Sequence, residues 1–176
     1  SSSAAFDLGT RSGAEAFKEL CSPLSTSWDG DTQKFPDFLI NLRLRANKGK
    51  WNIAGAATNI LTINGNDLLT SYHTITDAQV TAARLTRATN DRAVQNAKAL
   101  YQCLQSSITG DVRTTIFTQA ENLPTDEVGV SLFKSITTYS SVSSVQLSNV
   151  SLNNIPHFDP SAFKFQVPAI NTRLSN

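Results

Sequence analysis

The sequence predicts an all-α fold of about seven helices with an extended N-terminal arm. Apolar residues recur at helical spacing in several windows, and no window alternates strongly enough to build a sheet. Capping residues, prolines and glycines mark the ends of these windows. The hydrophobic content of 40%, with 9 Phe, indicates a folded chain, because disorder requires low hydrophobicity and high net charge.

The first predicted elements are a polar arm and two helices. The arm covers residues 1–10, and a short amphipathic helix follows over 12–21. A loop over 22–34 carries Trp28, a large aromatic residue that is expected to anchor it. The second helix begins near Phe35 and ends near Gly49. Its inward face follows a helical period and comprises Phe35, Phe38, Leu39, Leu42 and Ala46.

The middle of the chain combines an irregular stretch with a well-marked helix. Residues 51–63 fit either a short helix or a loop, and 64–66 carry the turn signal Asn-Gly-Asn. Thr76 and Gln79 have the spacing of a capping box, in which each side chain bonds the backbone of the other residue. A helix to about Ala88 is therefore expected.

The strongest helical pattern lies in residues 93–108. One stripe over about four turns, with 3.6 residues per turn, is expected to be buried. Gly110 is predicted to end this helix. The stripe comprises Ala93, Ala97, Leu100, Tyr101, Leu104 and Ile108.

Two further helices are predicted after Gly110. Asp111 can cap the first, and Thr125 can cap the second, which carries Leu132 and Phe133 on its inward face. Residues 140–154 fit neither period cleanly, but their helical context favours a helix. Residues 169–174 suit the start of a last helix.

Composition excludes several classes of protein. The net charge is +1, with 15 Lys and Arg against 14 Asp and Glu, so no global field attracts nucleic acid or anionic lipid. Ser, Thr and Asn supply 53 of the 176 residues, which indicates a neutral polar surface. No run of about 18 apolar residues is present, so we expect no membrane-spanning segment and a cytoplasmic location.

The residues available for catalysis are few. His73 and His157 are the only histidines, and neither has a cysteine or acid at ligand or triad spacing. No Walker A loop, dinucleotide-binding glycine motif or EF-hand loop occurs. Cys21 and Cys103 are too far apart in sequence for a zinc knuckle. We expect no enzymatic activity, no metal, no cofactor and no small-molecule substrate.

Two basic groups are candidates for contact with phosphate groups. The group at the end of the second predicted helix is expected on solvated helix surface, although cations near a helix C-terminus also suit its dipole without any ligand. Neither group is interleaved with aromatic residues, so no base-stacking surface is expected. The first group comprises Arg43, Arg45, Lys48 and Lys50, and the second comprises Arg84, Arg87 and Arg92.

Eight residues are expected to form the structural core. Each is large and apolar or aromatic, and lies in a predicted helix or beside a predicted turn. They are Trp28, Phe38, Leu42, Trp51, Leu100, Tyr101, Leu104 and Phe133.

An ordered set of short motifs covers most of the chain from Leu24 onward. In order and spacing together, the chain resembles the Gag capsid region of LTR retrotransposons, in particular the Copia-like elements of algal and other protist genomes. The matching residues are Leu24, Trp28-Asp29-Gly30, Phe35, Phe38-Leu39, Leu42, Arg45-Ala46, Trp51, Leu68-Leu69, Tyr72, Ala97, Leu100-Tyr101, Cys103-Leu104, Ser107-Ile108, Gly110, Leu132-Phe133, Phe158-Asp159-Pro160 and Ile170-Asn171-Thr172.

The resemblance implies two helical lobes. Beyond the arm at 1–10, these are an N-terminal lobe over 11–88 and a C-terminal lobe over 89–176, and one continuous bundle is equally consistent with the sequence. The arm is a candidate for exchange between neighbouring copies.

The resemblance also implies a helical, capsid-like subunit whose many copies assemble into virus-like particles or virions that enclose RNA. A full Gag often ends in a zinc knuckle or a basic tail, and this sequence contains neither, so it is either the capsid part alone or holds RNA through the sparse basic groups. Two alternatives are kept. One is the coat protein of a rod-like or filamentous RNA virus, and the other is a monomeric helical adaptor that binds another protein.

Overall fold

The computed structural model of the 176-residue chain describes residues 4–119 and 128–154. Within these ranges the protein is mostly helical, which confirms the predicted all-α class. The helices are α1 (Arg11–Cys21), α2 (Phe35–Gly49), α3 (Leu68–Ser71), α4 (Asp77–Arg87), α5 (Asp91–Ser107), α6 (Gly110–Gln119) and α7 (Gly129–Asn154). A single 3-10 turn (Thr32–Lys34) precedes α2, and two short strands, β1 (Thr62–Ile63) and β2 (Asn66–Asp67), pair in antiparallel fashion.

The chain divides into two units, Ser1–Ser140 and Ser141–Asn176, and the core described below belongs to the first. Within the first unit α1 packs against α5, and buried residues from both sides of position 88 belong to one hydrophobic cluster. The predicted division into lobes at 88/89 therefore falls inside this unit, and it stays a prediction.

Local sequence signals account for the starts of α1 and α4 and for the end of α2. Thr10 caps α1 by accepting a hydrogen bond from the Gly13 N–H. At the end of α2, Lys50 has a left-handed backbone with φ of 59°, and its N–H bonds back to the carbonyls of the last turn. Thr76 and Gln79 form the predicted capping box at the start of α4, with both reciprocal hydrogen bonds in place.

Long-range pairing ends α5 earlier than predicted. The helix stops at Ser107, and Ile108 is extended because it forms a parallel bridge with Trp28. The Trp28 N–H donates to the Ser107 carbonyl at 2.8 Å, and the Thr109 N–H donates to the Trp28 carbonyl at 2.9 Å. The prediction that Gly110 ends α5 was therefore wrong: Gly110 is the first residue of α6.

Two further regions can be compared with the prediction, residues 51–67 and residues 140–154. Residues 51–67 form a loop and a small hairpin, in which Asn64 and Gly65 both have positive φ, as the tight turn requires. The favoured helix over 140–154 is present as the continuation of α7. The predicted cap at Thr125 and the predicted helix start at Ala169 lie outside the described residues.

The predicted core residues lie in the interior of the first unit. Seven of the eight are completely buried, and Tyr101 is partly buried against the same cluster. Trp28 is central, since its ring packs 5.0 Å from Phe35, 5.8 Å from Phe38 and 6.3 Å from Tyr139, measured between ring centroids. The anchoring role expected of Trp28 in the loop before α2 is explained by these contacts.

Among the described helices, none combines the length and the apolar character that a bilayer-crossing segment needs.

Candidate nucleic-acid interface

The seven predicted phosphate-binding cations lie in separate environments. The basic run in α2 divides between the inner and outer sides of the helix, and the second group divides between α4 and the start of α5. Most of these side chains contact other parts of the protein, and those contacts decide which of them remain open to a ligand.

Arg45 points into the protein, which corrects the expectation of a solvated position. Its Nη1 donates to the Leu20 carbonyl at 2.9 Å and to the Ser22 carbonyl at 2.5 Å, and its Nη2 donates to the Pro23 carbonyl at 3.2 Å. The guanidinium thus satisfies carbonyl groups at and just beyond the C-terminus of α1, which have no partner within that helix. Arg45 holds α1 and α2 together.

Arg45 also lies beside a buried thiol. Its Nη1 is 3.4 Å from Cys103 Sγ. Burial raises the pKa of the Cys103 thiol to about 11, and the nearby guanidinium opposes this rise without cancelling it. Cys103 is therefore a neutral core side chain at physiological pH.

Arg43 and Lys48 form ion pairs on the outer part of the first unit. Arg43 Nη1 lies 2.8 Å from Asp67 Oδ2, which connects α2 to the hairpin. Lys48 Nζ lies 2.9 Å from Glu19 Oε2, and both side chains are more than half exposed. The hydrogen bond and charge of Lys48 lower the pKa of Glu19. Exposed pairs of this kind contribute little to stability and leave Lys48 accessible.

Lys50 and Arg92 line the same surface groove, although they are far apart in the sequence. The arm forms one wall of this groove through residues 4–7. Lys50 is exposed, whereas Arg92 is buried, with its guanidinium 4.0 Å from the Phe6 ring centroid and its Nη1 donating to the Ala4 carbonyl at 2.9 Å. Burial lowers the pKa of Arg92. Arg92 holds the arm against α5, and the accessible charged side chains of the groove are Lys50 and Asp7.

Arg84 and Arg87 line a different, mostly apolar pocket between α4 and α5. Arg87 donates from Nη1 to the Ile60 carbonyl at 2.7 Å and from Nη2 to the Thr62 carbonyl. Burial lowers the pKa of the Arg87 guanidinium. The Nε of Arg84 is buried and has no hydrogen-bond partner in the part of the chain that the structure describes. Through its two hydrogen bonds, Arg87 connects α4 to the loop before the hairpin and to the first strand of the hairpin.

The sequence contains a signal that separates Arg45 from its basic neighbours. Arg45 follows Leu42 by three residues and Phe38 by seven, so it shares the inward side of α2. Lys48 and Lys50 are both exposed, and Lys50 lies at the left-handed C-cap. The helical period alone could have predicted that Arg45 serves the fold.

A feature of α2 that the sequence interpretation missed is its exposed apolar pair. Ile40 and Leu44 lie one turn apart on the outer side of the helix, and they are 59% and 61% exposed. They do not share the helical period of the buried residues Phe38 and Leu42, and this mismatch in the sequence could have indicated an exposed position. Contiguous exposed aliphatic side chains are typical of interaction sites.

The described residues contain no group of three or more His, Cys, Asp or Glu side chains that could hold a metal ion. The His73 ring packs on Tyr72, with 4.2 Å between the centroids, and His157 lies outside the described residues. Comparisons of this chain with protein-family models, curated proteins and solved structures gave no match.

Proposed function

We propose that this protein is a non-enzymatic structural subunit, Gag-like in kind, whose copies self-associate into particles that enclose RNA in the cytoplasm. The motifs from Leu24 onward that resemble the Gag capsid region provide the functional class. The all-α architecture agrees with that class.

The observation that carries this proposal is the exposed apolar surface on a well-packed helical unit. Ile40 and Leu44 are adjacent on α2, where they are 59% and 61% exposed. Large aliphatic side chains in such positions stabilise contacts between proteins when another apolar surface covers them. The net charge of +1 adds no strong repulsion when many copies pack together.

RNA binding in this proposal depends on a few accessible cations in each copy. Lys48 and Lys50 are exposed, and Arg43 is partly exposed. Contacts between such side chains and phosphates carry no sequence information, so RNA is held by charge. A weak site becomes effective when the same surface is repeated over many copies that bind one RNA strand.

The proposal is tested on the purified chain by negative-stain electron microscopy, light scattering and nuclease protection. We expect closed shells that contain nuclease-resistant RNA. Rods or filaments would instead favour the coat-protein alternative. A stable monomer at high concentration, with no protected RNA, would contradict assembly and favour the adaptor alternative.

A further inference from the structure

The outer side of α2 carries a stripe that runs the length of the helix. Asp37, Ile40, Leu44 and Lys48 are all exposed, and their spacing of three or four residues places them in one row. The opposite side of the helix is buried in the core through Phe38 and Leu42. The stripe is therefore acidic near the N-terminal end, apolar in the middle and basic at the C-terminal end.

This order of charges makes the stripe complementary to itself in the antiparallel direction. If two copies of α2 cross with their centres aligned near position 42, Ile40 of one copy faces Leu44 of the other. Asp37 of each copy then lies near Lys48 of the second copy. A parallel arrangement would instead bring like charges together, so the charge pattern selects the antiparallel one.

We propose that a second copy of this chain occupies the stripe, with α2 packed antiparallel on α2 across a two-fold axis. This inference rests on the proposed function, and names one of the contacts through which copies assemble. A two-fold contact uses the same patch on both copies, which is the requirement that a self-complementary stripe meets. Lys48 already contacts Glu19, but an ammonium group has three donors and accommodates a second carboxylate.

The stripe is small, as expected for one of several weak contacts that each copy makes in an assembled particle. Four side chains on a helix of 15 residues cover less surface than a stable isolated dimer requires. A weak contact of this kind becomes effective when each copy forms several contacts at once. We therefore expect reversible, concentration-dependent dimers in dilute solution.

The first experiment compares two substitutions at equally exposed leucines. Leu44→Asp places a charge in the centre of the stripe, and Leu85→Asp places the same charge on α4, where the parent leucine is also 61% exposed. Sedimentation velocity measures the dissociation constant of the dimer. We expect Leu44→Asp to raise it by at least about tenfold, because two apolar contacts are lost across the axis, and Leu85→Asp to leave it unchanged.

The second experiment reverses the charges at the ends of the stripe. Asp37→Lys alone and Lys48→Glu alone each place like charges opposite each other, so both should weaken the dimer. The double variant restores opposite charges and should recover self-association. Thermal melting of every variant checks that the first unit is folded, and the exposed positions of these residues make intact folding the expected result.

The outcomes separate this inference from the proposed function. If Leu44→Asp dimerises like the parent while particles still form, the α2 contact is wrong and the capsid proposal stands. If Leu44→Asp weakens association but the double charge variant does not recover it, the antiparallel arrangement is wrong. If the parent chain is monomeric and free of RNA at high concentration, both proposals fail.

Discussion

Arg45 shows how a residue in a basic run can serve the fold instead of a ligand. Its three donor contacts with the carbonyls of Leu20, Ser22 and Pro23 stabilise the C-terminus of α1 and the start of the following loop. Carbonyl groups at that position have no partner in the helix, and a charged donor forms stronger hydrogen bonds than a neutral one.

Arg45→Gln is expected to reduce the free energy of unfolding by about 1 to 3 kcal/mol, because it removes charged donors and leaves carbonyl groups unsatisfied. Urea denaturation measures the change. Lys50→Gln is the matched control, since Lys50 is exposed, and its effect should be within about 0.5 kcal/mol of zero. Equal effects of the two substitutions would contradict the structural role of Arg45.

The burial of the Cys103 thiol makes its contribution to the free energy of unfolding depend on pH. Burial raises the pKa of its thiol from 9.0 to about 11, so the unfolded chain loses this proton at lower pH than the folded chain does. The contribution of the neutral thiol to stability is complete below pH 9 and is lost as the pH rises toward 11. A difference of two pKa units corresponds to about 2 to 3 kcal/mol.

We therefore expect the free energy of unfolding of the parent to fall faster between about pH 9 and about pH 11 than that of Cys103→Ala. The two proteins share every other titratable group, so the difference between the two pH profiles isolates the thiol. Urea denaturation at several pH values gives both profiles. Parallel profiles would show that the thiol is not shielded from water in the folded protein.

At the scale of elements, local signals in the sequence were sufficient where an element depends on neighbouring residues. The capping box at Thr76 and the part of the apolar stripe that lies within α5 are signals of this kind, and both were predicted correctly. The end of α5 could not be predicted, because it depends on the bridge between Trp28 and Ile108. The short helix α3 depends on a cap at Asp67, the last residue of the hairpin, which local periodicity does not reveal.

The same limit applies to the candidate site. The sequence identified the basic run but not the partner of each side chain, because those partners lie on other elements. Arg43 pairs with Asp67, 24 residues away, and Arg45 contacts Leu20, 25 residues away. A sequence pattern shows where charge is concentrated, whereas only tertiary contacts show which charges remain accessible.

Gly129 allows the start of α7 to lie directly against α5. A Cβ atom at this position would lie 2.2 Å from the Ala97 carbonyl oxygen and 2.7 Å from the Tyr101 nitrogen. Both are backbone atoms of α5, so they cannot move aside as a flexible side chain can. The glycine is required by the close approach of the two helices.

Gly129→Ala is expected to destabilise the first unit by about 1 to 3 kcal/mol, because α7 must move away from α5. The intrinsic helix preference of alanine acts in the opposite direction, by about 0.5 to 1 kcal/mol, so a net loss is a specific sign of the clash. Thermal melting measures the change, with Ser131→Ala in the same helix as the control. An increase in melting temperature for Gly129→Ala would show that the two helices are not in close contact.

At the scale of the whole molecule, the net charge of +1 conceals an uneven distribution of charge. Arg45, Arg87 and Arg92 are committed to carbonyl groups of their own chain. Lys48 and Lys50 remain exposed near the C-terminus of α2. In the proposed function, each copy therefore offers RNA only a few accessible cations, and affinity comes from the number of assembled copies.

Lys50→Gln is therefore expected to lower the salt concentration at which RNA leaves the particles, because each copy then releases about one fewer counterion. Nuclease-protected RNA per protein, measured across a sodium chloride series, gives this salt dependence. Lys34→Gln is the matched control, since Lys34 is also exposed, carries the same charge and lies before α2, at the other end from Lys50. If Lys50 contacts a phosphate directly, Lys50→Gln lowers the salt concentration at which RNA is released and Lys34→Gln does not. Equal shifts would assign the effect to net charge and remove Lys50 from the interface.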